Sequence, residues 1–129
     1  MDKQIQEWLN QSQYDLKTAE AMFKSQRNIY AVFMCHLALE KALKAVWVKT
    51  TGEIAPRTHN LLLLAKGLNL STDQLQFLAE INTANIQTRY PENLEKAIQQ
   101  YDNQLTSDWI QKSKEVILWI KAILKSTKQ

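Results

Sequence analysis

NIYAVFMCHLALEKALKAVWVKT, residues Asn28–Thr50, decides the fold. Ala31, Val32, Cys35, Leu39, Ala42, Leu43 and Val46 recur at three-and-four spacing and fill a wide arc of a helix, while Phe33, Leu37 and Trp47 lie nearly opposite. A helix that is apolar around most of its circumference belongs at the centre of a bundle or against another chain. Gly52 and Pro56 end it, the first as a left-handed stop and the second by its missing amide.

Working outward, the chain has only 2 Gly and 2 Pro, so long uninterrupted helices are expected and strand signals are missing. A first helix carries Ile5, Trp8, Leu9, Ser12, Leu16, Ala19 and Phe23 on one face and ends near Ser25 to Asn28. After the central helix, a short one is expected from Thr58 or His59 to Lys66, with Thr58 as cap and Gly67 as terminator. The next begins at Ser71, which has capping-box spacing to Gln74, and runs through Leu75, Leu78 and Ile81 toward Gln87. Pro91 drives Tyr90 out of helical geometry, so TRYPEN (Thr88–Asn93) is a turn, followed by an irregular helical piece from Leu94 to Tyr101. The last helix starts around Thr106 to Asp108 and buries Trp109, Ile110, Val116, Ile117, Ile120 and Leu124. The expected architecture is all-α, an up-and-down helical bundle of four long helices plus one short one, in a single domain over residues 1–129.

The totals exclude several classes. With 45% hydrophobic and 22% charged residues, the chain has the composition of a folded domain, and no apolar run approaches the roughly 20 residues of a membrane helix. The start, MDKQIQEWLNQSQYD, has neither a cationic nor an apolar leader region, and a single Cys35 rules out an internal disulfide framework, so a cytoplasmic address is expected. Sixteen Lys and Arg against 13 Asp and Glu give a net charge of +3, with several lysines in KAILKSTKQ where cations suit a helix C-terminus. Dedicated nucleic-acid binders carry a denser basic patch. Two histidines and one cysteine make no metal-ligand set, and there is neither a Gly-rich phosphate loop nor a nucleophile elbow. No metal or cofactor is expected.

Two constellations remain. If the second helix runs down, the short third climbs part-way and the fourth runs down again, then APRTHN (Ala55–Asn60) and TRYPEN lie at one end and gather Arg57, His59, Arg89 and Tyr90. Guanidinium forks suit phosphate oxygens and rings stack on bases, which makes these four a candidate ligand site. The alternative, favoured by the residues alone, pairs the arginines with carboxylates or helix carbonyls and packs Tyr90 under Pro91. The second constellation is a ladder of His36, Glu40 and Lys44 at spacing four, running among Phe33, Leu37 and Trp47. Such a ladder reads as surface pairs or as a partly buried subunit contact, so these six form a candidate dimer interface. Acid–base chemistry at His36 is less favoured, because no nucleophile or oxyanion donor stands at identifiable spacing.

The ordered series WLNQSQYDLKTAEAMF, NIYAVFMCHLALEKALKAVWVKTTGEIAPRTHNLLLLAK and TANIQTRYPEN, closed by an amphipathic helix, resembles the HEPN family over nearly the whole chain. ALEKALKA (Ala38–Ala45), Thr58-His59-Asn60-Leu61 and Arg89-Tyr90-Pro91 are the most specific pieces. The resemblance implies a small prokaryotic helical bundle that dimerises, binds a nucleotide or RNA, and is encoded beside a minimal nucleotidyltransferase. Some members are metal-independent ribonucleases and toxins of toxin–antitoxin pairs that use Arg, four to six residues, then His. Here the eligible positions hold Leu94, Glu95 and Lys96 after Arg89, Leu62, Leu63 and Leu64 after Arg57, and Val32, Phe33 and Met34 after Arg27. No catalytic residue is therefore carried over. The expected function is a non-catalytic binding protein, a homodimer recognising a nucleotide, RNA or a partner nucleotidyltransferase. The alternatives are a ribonuclease toxin and a purely structural helper subunit.

Overall fold

Asp2 opens the chain's first helix by accepting the amides of Gln4 and Ile5 at 2.6 and 3.4 Å, which satisfies donors that a helix start leaves orphaned. In the computed structural model, which describes residues 2–126, the elements are α1 (Lys3–Lys24), α2 (Asn28–Thr51), α3 (Leu61–Leu64), α4 (Thr72–Arg89), α5 (Leu94–Gln100) and α6 (Asn103–Ser126), and no strand occurs among the described residues. Of the C-terminal lysines, Lys128 lies outside the described residues.

Helix α2 is central, as its all-round apolar pattern requires. Its Leu39 and Leu43 are fully buried with Leu61 and Leu64 of α3, Leu78 and Ile81 of α4, and Ile117 and Ile120 of α6. Helix α1 lies antiparallel to it: the Trp8 ring faces Lys44, and one turn later the Ser12 hydroxyl donates to the Ala38 carbonyl at 2.7 Å. Lys41 adds an ion pair to Asp15 at 2.8 Å across the same pair of helices. Helix α6 runs antiparallel to α1, which it meets through Lys121 with Gln13 and Lys114 with Glu20. It therefore runs parallel to α2, and the two helix starts are tied by Asn28 Nδ2, which donates to Tyr101 O and Asn103 Oδ1 at 2.9 Å each.

The direction of α4 differs from the expectation. Asn82 lies beside His36 whereas Arg89 lies over Phe33, so later residues of α4 meet earlier residues of α2 and the pair is antiparallel. Contacts of Phe77 with Trp109 and of Gln87 with Tyr101 give the same direction against α6. The physical reason is that α3 is a single turn. Its four residues rise only about 6 Å, too little for a return leg, and the return is instead made by the segment between Gly52 and Asn60. That segment runs back along α2 until His59 is level with Glu40. The result is still an up-down-up-down bundle, now with α4 as the third long leg.

Local signals behave as physical chemistry predicts, with shifts of a few residues. Gly52 closes α2 at φ +71°, and Ser71 with Gln74 forms the reciprocal capping box. Asn60, not Thr58, caps α3 by accepting the amides of Leu62 and Leu63; Thr58 instead accepts from the Asn60 amide. Helix α6 begins at Asn103 because Asp102 accepts the Leu105 amide, and α5 is regular because Asn93 accepts that of Lys96. On α4 the inward residues include Phe77, while Leu75 is 43% exposed.

Candidate functional site

Glu40 organises the most unusual chemistry in the chain. Its side chain is only 5% exposed, and the two oxygens are shared between Lys44 Nζ, 3.0 Å from Oε2, and His59 Nδ1, 2.9 Å from Oε1. His36 Nδ1 stands 4.0 Å from Oε1. Lys44 is itself buried, 5.4 Å from the centre of the Trp8 ring, so its charge is balanced by Glu40 on one side and by the aromatic face on the other. A buried carboxylate is tolerated only when its lone pairs are used in this way.

Asn82 extends the cluster across to α4. Its Oδ1 accepts the Leu61 amide at 2.9 Å and lies 3.4 Å from His36 Nε2, while its Nδ2 donates to Asn60 Oδ1 at 3.1 Å. One amide side chain thus ties α2, α4 and the start of α3 together. Burial holds the His36 pKa below the ordinary histidine value, against the opposing pull of Glu40, the Asn82 side chain and the His59 backbone. Cys35, one position back on the helix, is fully buried, and burial pushes its thiol up to about 12, which removes it as a nucleophile at neutral pH.

His36 and Glu40 therefore face α4 and the chain's own returning segment, while Lys44 faces Trp8 of α1. Phe33, Leu37 and Trp47 from the same candidate interface are half-buried. Of the four candidate ligand residues, all are exposed. Arg57 and Arg89 form no ion pair with any described carboxylate, and the Arg89 guanidinium lies 4.9 Å from the centre of the Phe33 ring. Tyr90 is 72% exposed, so it does not pack as a lid. The two proline corners do not meet at one pole. His59 is anchored at Glu40 and Arg89 at Phe33, seven residues apart on α2, which is roughly 10 Å of helix rise. They are staggered along one face of α2. Asn82 was not singled out from the sequence, and Asn60 entered only within the Thr58–Leu61 piece; the available signal for Asn82 was an asparagine, a poor helix former, one turn after the buried Leu78.

Two outcomes test this cluster. Asn82→Ala strands the buried Leu61 amide and should cost about 1–3 kcal/mol, read as a lower urea midpoint together with faster exchange of the Leu61 amide; an unchanged midpoint and exchange rate would remove Asn82 from the role given it. For His36, the folded pKa lies below the unfolded value near 6.5, so the unfolded chain takes up a proton that the folded one refuses. The stability contributed by neutral His36 is present above about 6.5 and is lost as pH falls from there toward the folded pKa. Urea midpoints for wild type should drop across that window more steeply than for His36→Gln, and parallel curves would show that His36 does not contribute.

Comparison with known proteins places this geometry in a family. The model of the HEPN domain matches residues 5–123. The fold is similar to the crystal structure of TT1696 from Thermus thermophilus, with a TM-score of 0.80 and 16% identity over 94% of this chain and 98% of that one. It is also similar to ST0689, an archaeal HEPN homologue, with a TM-score of 0.76 and 21% identity over 95% and 99% of the two chains. A search of the curated proteins finds no match. At these identities the solved structures speak for the fold, and the family match, which covers nearly every helix described above, makes the chain a member of the HEPN domain family.

Proposed function

We propose that the chain is a binding member of the HEPN family without catalytic activity of its own, a homodimer that recognises a nucleotide, RNA or a partner nucleotidyltransferase, of which the site's chemistry favours a phosphate-bearing ligand. The observation that supports this reading most is that Arg57 and Arg89 are both exposed and free of described carboxylates. A guanidinium left unpaired on a surface keeps its fork of donors for an external anion. Bracing Arg89 on Phe33 limits its rotamers, so less entropy is lost when a phosphate arrives, and the exposed Tyr90 ring beside it is suited to stack on a base. The spread of the corners along α2 fits an extended ligand better than a single phosphate. The homodimer rests on the half-buried Phe33, Leu37 and Trp47 rather than on the ladder between them.

A second reading has one observation in its favour. Glu40 holds His59 by Nδ1, which orients the ring and directs Nε2 away from the carboxylate, the arrangement a general base in a metal-independent ribonuclease requires.

Calorimetry with nucleoside triphosphates and short single-stranded RNA tests the binding reading. Arg89→Ala should weaken binding by about tenfold or more while leaving the thermal midpoint nearly unchanged, since the exposed cation–π contact contributes only about 0.5–1 kcal/mol. Equal affinities, or no binding by wild type, would remove the site. The same preparations incubated with RNA and chelator should leave it intact; cleavage abolished by His59→Ala would transfer the assignment to the ribonuclease reading. In sedimentation, wild type should run as a dimer and Trp47→Glu as a monomer. A monomeric wild type at high concentration would overturn the homodimer.

A further inference from the structure

The corner between α1 and α2 and the corner between α5 and α6 enclose an open cleft of about 570 Å³ at the pole where α2 begins. This is within the range of small-molecule sites, about 300–1,000 Å³. Tyr30 from α2 and Leu94 and Ile98 from α5 converge on it, and they are 57%, 61% and 56% exposed. Single exposed apolar residues need no explanation, but three from two helices lining one concavity do. Packing of α5 does not account for them. That helix buries only Ala97, while Leu94 and Ile98, spaced by four, present their side chains to the cleft.

Two charges of opposite sign also line the cleft without pairing with each other. Arg27, from the α1–α2 corner, forms no ion pair among the described residues, and Asp102, from the α5–α6 corner, uses only Oδ1, on the Leu105 amide. Asn28 fastens the two corners together through Tyr101 O and Asn103 Oδ1, so the segments that carry the cation and the carboxylate are tied to each other before anything binds. We infer that the cleft binds a small apolar zwitterion, a short peptide of apolar residues with free termini, its carboxylate meeting Arg27, its ammonium meeting Asp102 and its side chains covering Tyr30, Leu94 and Ile98. Charge selects against the other occupants. A polyanionic phosphate would be set against Asp102, and an uncharged apolar molecule would desolvate both rim charges with nothing in return. The volume exceeds that of a single amino acid, which favours a di- or tripeptide. The cleft's lining includes none of Phe33, Arg89 and Tyr90, so the inference does not depend on the reading of that surface.

Calorimetry on the full chain with the dipeptide Leu-Phe, its N-acetyl form and its C-terminal amide tests the inference. Leu-Phe should bind saturably, and each blocked form should bind about tenfold more weakly or worse. Arg27→Ala should make Leu-Phe and its amide equivalent, and Asp102→Asn, which retains a capping oxygen for α6, should do the same for Leu-Phe and its N-acetyl form. No saturable binding of Leu-Phe at millimolar concentration, or blocked forms that bind wild type as tightly as the free dipeptide, would overturn it.

Discussion

The Glu40 carboxylate is the constraint on which the arrangement of this bundle depends. It sits on the most buried helix of the chain, where an ionised group without partners would be prohibitive, and its partners come from two different places in the sequence. Lys44, one turn further along α2, is a local partner. His59 is nineteen residues away and reaches Glu40 only if the segment after Gly52 runs back along α2. Satisfying Glu40 therefore fixes the path of the chain between α2 and α3. That path brings Leu61 and Leu64 into the core and sets α4 antiparallel to α2.

Asn82 completes the logic from the opposite side. An extended return segment carries backbone donors that no helix ladder satisfies, and the Leu61 amide is one of them, fully buried at the start of a single-turn helix. A leucine at position 82 would pack as well against α2 but would leave that amide without an acceptor. Asparagine supplies an acceptor for Leu61 and a donor for the Asn60 cap in one side chain. The polar cluster and the apolar core are consequently one structure, since the groups that orient the corner also decide which leucines enter the interior.

The helices were legible because their signals are local. The apolar periods of α1, α2 and α6, the Ser71–Gln74 box and the Gly52 stop each act within a few residues, and each occurs where the pattern places it. The direction of α4 was not legible, because it depends on whether the segment after α2 forms a tight turn or an extended return, and the His59–Glu40 contact that decides this is non-local. For the same reason the ladder of His36, Glu40 and Lys44 reads from sequence as an outward stripe. Four-residue spacing shows that the three share a face, but not that the chain's own corner and α4 cover it. At Arg57, Arg89 and Tyr90 the sequence favoured internal pairing and packing, and what it lacked was the position of every carboxylate relative to the two guanidiniums.

The division of α2 into faces follows from these contacts. The side that joins α1 and α6 is largely apolar, broken by the Lys41–Asp15 pair and by the Ser12 hydroxyl on the Ala38 carbonyl, and Cys35 lies there silenced by burial. The other side carries the ladder and the half-buried Phe33 and Trp47, and its polar groups are either committed to the corner or offered to the surface through a residue anchored on it. Arg89 is anchored by Phe33 and His59 by Glu40, so the exposed groups inherit their positions from the most deeply buried helix in the chain. Side chains held this way have less entropy to lose on meeting a ligand, because core contacts rather than loops alone fix them. No histidine follows an arginine at the ribonuclease spacing, and His59 takes its orientation from Glu40, not from its distance to an arginine along the chain.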